Sequence, residues 1–152
     1  VTHLLDTNIV SAWLTYPAAA RRRPDGTKTL SLKGAHDRVN DLEEIYFSAL
    51  TRWEIERGLK AKGHDKRLRD FAGLCRQSRV LRLDDRIVDQ AVDTWAAVKR
   101  AGHAPKDVDI LILATAQVWQ LVLVTNDEGL QRAADLQNPP VSWEDWLVPA
   151  AD

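Results

Sequence analysis

Residues 121–124 read Leu-Val-Leu-Val, with no polar position among them. A strand that shows one face to water alternates apolar and polar side chains; one that never alternates is covered on both faces. Such strands belong to parallel sheets, whose crossover connections are helices packed above and below. This short run therefore asks for helices elsewhere in the chain. Ile87, Ala91, Trp95 and Val98 recur at helical spacing, opened by Asp84 or Asp85 as a cap and closed by Lys99, Arg100 and Gly102. Asp107–Trp119 is almost wholly apolar, but it is long for a strand, and its Ala114-Thr115-Ala116 stretch favours helix.

The same reading predicts a strand at Thr2–Leu5 and a helix at Thr7–Leu14. A long polar connection then runs to about Leu32, and a helix follows through Leu42. Ile45–Leu50 reads as a second buried strand, Thr51 opens a helix toward Ala61, another helix covers Asp65–Gln77, and Arg79–Leu83 is a third strand. The fourth strand is Leu121–Thr125, and Val141–Leu147 offers a short fifth strand and a terminal helical turn. The fold class is α/β: a three-layer α/β/α sandwich around a mostly parallel sheet of four to five strands.

At 152 residues the chain suits one domain able to bury its own core. A hydrophobic share of 45% and a charged share of 28% fit a globular protein. No apolar run approaches the ~20 residues of a membrane helix, and no secretory signal pattern is visible, so the expected setting is cytoplasmic, with no membrane partner. The single cysteine, Cys75, follows Leu68 and Phe71 on one helical stripe and reads as a structural thiol.

Ligands of an open parallel sheet bind beyond the carboxyl ends of its strands. Four acids fall at such places: Asp6 after the first strand, Glu54 in the helix after the second, Asp109 opening the apolar helix, and Asp127 after the fourth strand. Each also has an ordinary reading as a helix cap. Asp6 or Thr7 caps the first helix, Thr51 and Glu54 match a capping box, Asp107 or Asp109 caps the apolar helix, and Asp127 caps the turn begun by Gly129 and Leu130. Caps, however, have no reason to cluster. Carboxylates that do cluster repel and raise one another's pKa, a cost that a divalent cation removes. Oxygen donors without His or Cys describe a site for Mg²⁺ or Mn²⁺. His3, His36, His64 and His103 are scattered without ligand spacing.

The net charge of −1 hides a segregation. From Glu56 to Arg82 nine Lys and Arg stand against three acids; from Asp84 onward twelve acids stand against five bases. A polyanion partner on the basic side accounts for this, and so do two ordinary solvated helix faces. Arg21–Gly26 (RRRPDG) shares that ambiguity, with Pro24 and Asp25-Gly26 marking a loop.

Four stretches together carry a resemblance: LLDTN at Leu4–Asn8, T-x-x-E-x-x-x-G at Thr51–Gly58, D-x-L-I-x-A-T-A at Asp109–Ala116, and LVTND at Leu123–Asp127. Their order and spacing resemble the PIN-domain nucleases, specifically the VapC-type toxin ribonucleases of type II toxin–antitoxin pairs. The likeness runs from end to end. It departs at Leu113, where the family usually has Ala, at Val118–Leu121, which replaces a glycine turn, at Leu130, often Phe, and in a longer segment over residues 15–32.

The resemblance implies a single PIN domain over residues 1–152, with Asp6, Glu54, Asp109 and Asp127 as catalytic ligands of one or two Mg²⁺ or Mn²⁺ ions. It implies that Thr7, Asn8 and Thr125 orient those carboxylates or bound water. Gly58, one turn after Glu54, lets substrate or a partner approach closely or simply packs tightly. Arg57, Lys60, Lys62, Arg67 and Arg69 then hold RNA phosphates. Trp13 and Trp53 are expected in core stripes rather than as base-stacking surfaces.

The expected function is a metal-dependent endoribonuclease toxin that hydrolyses phosphodiester bonds in structured RNA, such as tRNA or rRNA. It is expected to be a homodimer inhibited by a small antitoxin protein. The alternative is a non-catalytic PIN-fold module that binds RNA or antitoxin. A phosphatase using Asp6 as nucleophile would want a second Asp where Asn8 stands.

Overall fold

The computed structural model describes residues 1–147. Its strands are β1 (His3–Leu5), β2 (Tyr46–Ser48), β3 (Arg79–Leu81), β4 (Val122–Val124) and β5 (Trp143–Glu144). Its helices are α1 (Thr7–Arg22), α2 (Thr27–Asn40), α3 (Ala49–Ala61), α4 (Asp65–Arg76), α5 (Asp85–Arg100), α6 (Asp107–Trp119) and α7 (Glu128–Asp135). The strands form one sheet in the order β3-β2-β1-β4-β5, and every neighbouring pair is parallel.

Successive strand residues point to opposite faces. Leu4, Tyr46, Leu81 and Leu123 enter one core with α5, α6 and α7. Leu5, Phe47 and Val124 enter the other, with α1, α2, α3 and α4. The result is the three-layer sandwich expected from the doubly apolar strands, with Leu123 and Val124 fully buried on opposite sides.

The chain builds outward from β1 through β2 to β3, then returns to the other flank of β1 with β4 and β5. The direction of winding therefore reverses between β1 and β4. In open α/β sheets this reversal opens a crevice at the carboxyl ends of the two strands.

Several boundaries differ from expectation. α1 does not stop at Leu14; it continues through Pro17 to Arg22, so the long connection shrinks to Arg23–Gly26. Proline lacks the amide that would bond to the carbonyl four residues earlier. Ala18, Ala19 and Ala20 offset that loss through high helix propensity, and packing of α1 on α2 supports the whole length. Trp13 anchors the pair: it is buried, and its Nε1 donates to Asn40 Oδ1 at 2.9 Å. α3 begins at Ala49, not Thr51, because Ser48 Oγ accepts from Leu50 N and caps it.

Trp53 is not in a core stripe; it is 50% exposed. Nor does Trp95 complete the α5 stripe. Thr94 takes that buried position, with its hydroxyl donating to Gln117 Oε1 at 2.6 Å. Beyond β5 the chain bends through Trp146 and Leu147 rather than forming a helical turn, and residues 148–152 lie outside the described part. Cys75 is partly buried, and burial raises its thiol pKa, which suits a structural role.

Candidate active site

Asp6 stands where β1 becomes α1. Its amide donates to Val124 O at 2.9 Å, which keeps it tied to β4. Its Oδ1 accepts from Thr7 N at 2.7 Å and so caps α1. Its Oδ2 accepts from Thr125 Oγ1 at 2.8 Å. Thr125 has no exposed surface, and its own oxygen accepts from Asp127 N at 3.0 Å. One hydroxyl thus joins the acid ending β1 to the acid following β4, at the mouth of the crevice where the winding reverses.

Asp127 caps α7, its Oδ1 accepting from Leu130 N at 2.8 Å. A Cβ on Gly129 would lie 3.2 Å from that oxygen, so glycine gives the cap its room. On the other side of Asp6, Thr7 Oγ1 donates to Glu54 Oε1 at 2.7 Å. The same hydroxyl lies 3.3 Å from Thr51 Oγ1, which is fully buried inside α3. Glu54 therefore faces Thr7 rather than closing a capping box with Thr51. Asp109 is no cap either, since α6 follows Lys106 without any side-chain capping bond.

Burial and charge act on the acids together. Burial is the main cause pushing the Asp109 carboxyl up to about 6, and Asp6, Asp127 and Glu54 add to it against the opposing charge of Lys106. Burial also raises Asp6, with further repulsion from Asp127 and Glu54, while the hydrogen bonds from Thr125 and Thr7 pull it back. Carboxylates held in mutual repulsion are hard oxygen donors with charge to share, the chemistry a divalent cation requires. Among the described residues no three His, Cys, Asp or Glu side chains form a ready-made cage. The four acids thus match such an ion by donor type, all being carboxylates, while the described side chains are not preassembled around one point.

A pocket of about 400 Å³ opens beside Asp109 and Asp127, with Lys106 and Arg132 at its edge and Ile110 and Leu130 in its walls. Of the five expected RNA-binding cations, only Arg57 borders the acids, its Nη2 3.8 Å from Glu54 Oε2. Lys60, Lys62 and Arg69 are exposed along α3, its end and α4. Arg67 lines a groove with Arg21, Arg22 and Lys66, at the end of α1 remote from Asp6. Asn8 is exposed and makes no hydrogen bond to the four acids among the described residues. Beyond its chain neighbours and its own helix backbone, nothing lies within 4 Å of a Cβ placed on Gly58, so tight packing does not explain that glycine.

Two residues of the site escaped the sequence. Thr51 looked like a cap and is instead a buried hydroxyl beside the Thr7–Glu54 bond. Lys106 opposes the charge on Asp109, and its place three residues earlier in the sequence was the available signal.

The PIN domain family model matches residues 3–136. No curated protein matches the chain in sequence. Among solved structures, a chain of VapBC2 from Rickettsia felis, bound to a DNA fragment from its promoter, superposes with a TM-score of 0.73 at 17% identity, covering 96% of this chain and 99% of that one. FitAcB from Neisseria gonorrhoeae gives 0.67 at 24% identity, over 93% and 96%. DNA-bound VapBC from Salmonella typhimurium gives 0.69 at 23% identity, over 96% and 98%. These likenesses are likenesses of fold. The family model adds the sequence, spanning all four acids and every strand but β5, and on that ground the chain belongs to the PIN-domain family.

Proposed function

We propose that this protein is a metal-dependent endoribonuclease and the toxin of a toxin–antitoxin pair. The observation that carries the reading is the hydroxyl-linked acids at the β1–β4 crevice, Thr125 joining Asp6 to Asp127 and Thr7 lying between Asp6 and Glu54, while burial and then repulsion from these acids raise the Asp109 carboxyl. A structural cluster of caps has no use for that repulsion, whereas a site for Mg²⁺ or Mn²⁺ does.

The four carboxylates would hold one or two such ions. A bound ion supplies a water of lowered pKa and polarises the phosphodiester. The chain's own residues do the positioning. Thr125 fixes Asp6 relative to Asp127, and Thr7 fixes Asp6 relative to Glu54. Arg57 stands at the rim, close enough to Glu54 to receive a phosphate arriving there. Structured RNA is the proposed substrate class, and the basic residues of α3 and α4 give its backbone a surface.

A small antitoxin is the proposed inhibitor, and a homodimer the proposed assembly. The fold shared with the VapBC and FitAB structures supports the antitoxin, and the homodimer follows from the family resemblance alone.

The test is cleavage of structured RNA by purified protein with Mg²⁺, Mn²⁺ or EDTA, beside Asp6→Asn. Expected are cleavage that EDTA abolishes and a loss of about a hundredfold or more in the variant, with an unchanged circular dichroism spectrum. RNA that is bound but never cut under any of these conditions would support the non-catalytic module in its place.

A further inference from the structure

Trp53 is a surface feature beside the four acids that they leave unexplained. It is 50% exposed on α3, one residue before Glu54. The Arg57 guanidinium lies over its ring, 4.0 Å from the centroid, and the same guanidinium reaches to 3.8 Å from Glu54 Oε2. Beside the pair, Gly58 leaves the helix surface open, with nothing within 4 Å of an added Cβ. Within one turn of a site acid, α3 therefore presents a half-exposed indole with one face under a planar cation, and free approach at Gly58.

Single-stranded RNA offers the complement: a base with a π-face beside a phosphate, repeated at every nucleotide. We propose that Trp53 and Arg57 form a stacking platform for an unpaired nucleotide beside the acid site, Trp53 taking the base and Arg57 the phosphate. Its place next to the bond that is cut rests on the nuclease reading. It narrows the substrate to RNA with an unpaired base there, a loop or single-stranded stretch rather than continuous duplex. Charge argues against the other occupants. An acidic peptide uses Arg57 but has no need of the indole. Two copies of the chain meeting about a two-fold axis at Trp53 bring Arg57 toward its own counterpart.

The experiment is equilibrium binding in EDTA, so that no cleavage intervenes. The probes are a single-stranded RNA of about twelve nucleotides and an abasic ribose-phosphate chain of equal length and charge. Trp53→Ala should weaken binding of the base-bearing RNA about tenfold and leave the abasic chain within about twofold. Trp53→Phe, which keeps a ring, should stay within about threefold of wild type on both. Arg57→Ala should weaken both and reduce the salt dependence by about one phosphate contact. Equal losses on the two probes, or none, overturn the platform. A Trp53→Ala variant that binds RNA normally but sediments differently overturns it too, and assigns the indole to a second copy. Failure of Mg²⁺- or Mn²⁺-dependent cleavage, by contrast, removes the nuclease and not the stacking.

Discussion

The Thr125 hydroxyl stands between two acids, accepting from the amide of one and donating to the carboxylate of the other. Its removal affects both at once. Thr125→Val keeps the shape but leaves the buried Asp6 Oδ2 and the part-buried Asp127 N without that partner, a cost of about 1–3 kcal/mol in stability. It also removes a hydrogen bond that lowers the Asp6 pKa, so the carboxyl ionises less readily. The expected result is a loss of about 10- to 100-fold in cleavage, partly recovered at higher Mn²⁺, read from initial rates against metal concentration. Rates unchanged at every metal level would mean that Thr125 is only a packing residue. Asp6, Thr7 and Thr125 were legible because each sits within two residues of an apolar strand, where side-chain direction is fixed by the pleat. Thr51 and Lys106 were not, because their roles depend on how α3 and α6 rotate about their axes. Trp53 was misread for a related reason: aromatic residues usually fill cores, and composition cannot reveal that this one stacks on Arg57 at the surface.

Elements bounded by strong local signals stand where the sequence puts them. β4 follows from four apolar residues in a row, and α5 from the Asp84 cap, whose Oδ1 accepts from Ile87 N at 3.1 Å. α1 runs past the end expected at Leu14 and through Pro17, because packing against α2 outweighs one missing amide bond. That balance is measurable. Pro17→Ala restores a helical amide and should raise stability by about 1–2 kcal/mol, seen as a higher urea midpoint with an unchanged slope. A lower midpoint would mean that the proline ring fills space in the groove between α1 and α4, which it also lines. The opposite sign is expected at Gly129. There Gly129→Ala crowds Asp127 Oδ1, loosens the α7 cap and lowers cleavage along with about 1 kcal/mol of stability. An alanine variant with full activity would detach that cap from the site.

On the scale of the whole molecule, the acids make stability depend on pH in an unusual direction. The Asp109 carboxyl titrates at about 6 in the fold, against ~3.9 in an unfolded chain. Below about pH 4 it is protonated in both states and contributes no difference. As pH rises toward 6 the folded state keeps a proton that the unfolded chain has released, so this group's share of stability falls, and above about 6 the loss is complete. Burial and repulsion raise Asp6 in the same direction. Asp109→Asn should therefore stabilise the protein in EDTA by about 1–2 kcal/mol at neutral pH, allowing for solvent screening of a partly exposed group, and by almost nothing near pH 4. The variant should nevertheless fail to cleave RNA. In the wild type Mn²⁺ should offset the same penalty by binding the ionised acids, so its stabilising effect should appear above about pH 6 and fade below it. Thermal unfolding of both proteins at acid and neutral pH, with Mn²⁺ or EDTA, measures all of these differences. If the asparagine variant loses stability at neutral pH, or Mn²⁺ acts equally at both, the four carboxylates do not behave as one coupled site. Asp6 and Asp127 would then be helix caps only, and Glu54 and Asp109 unrelated polar side chains.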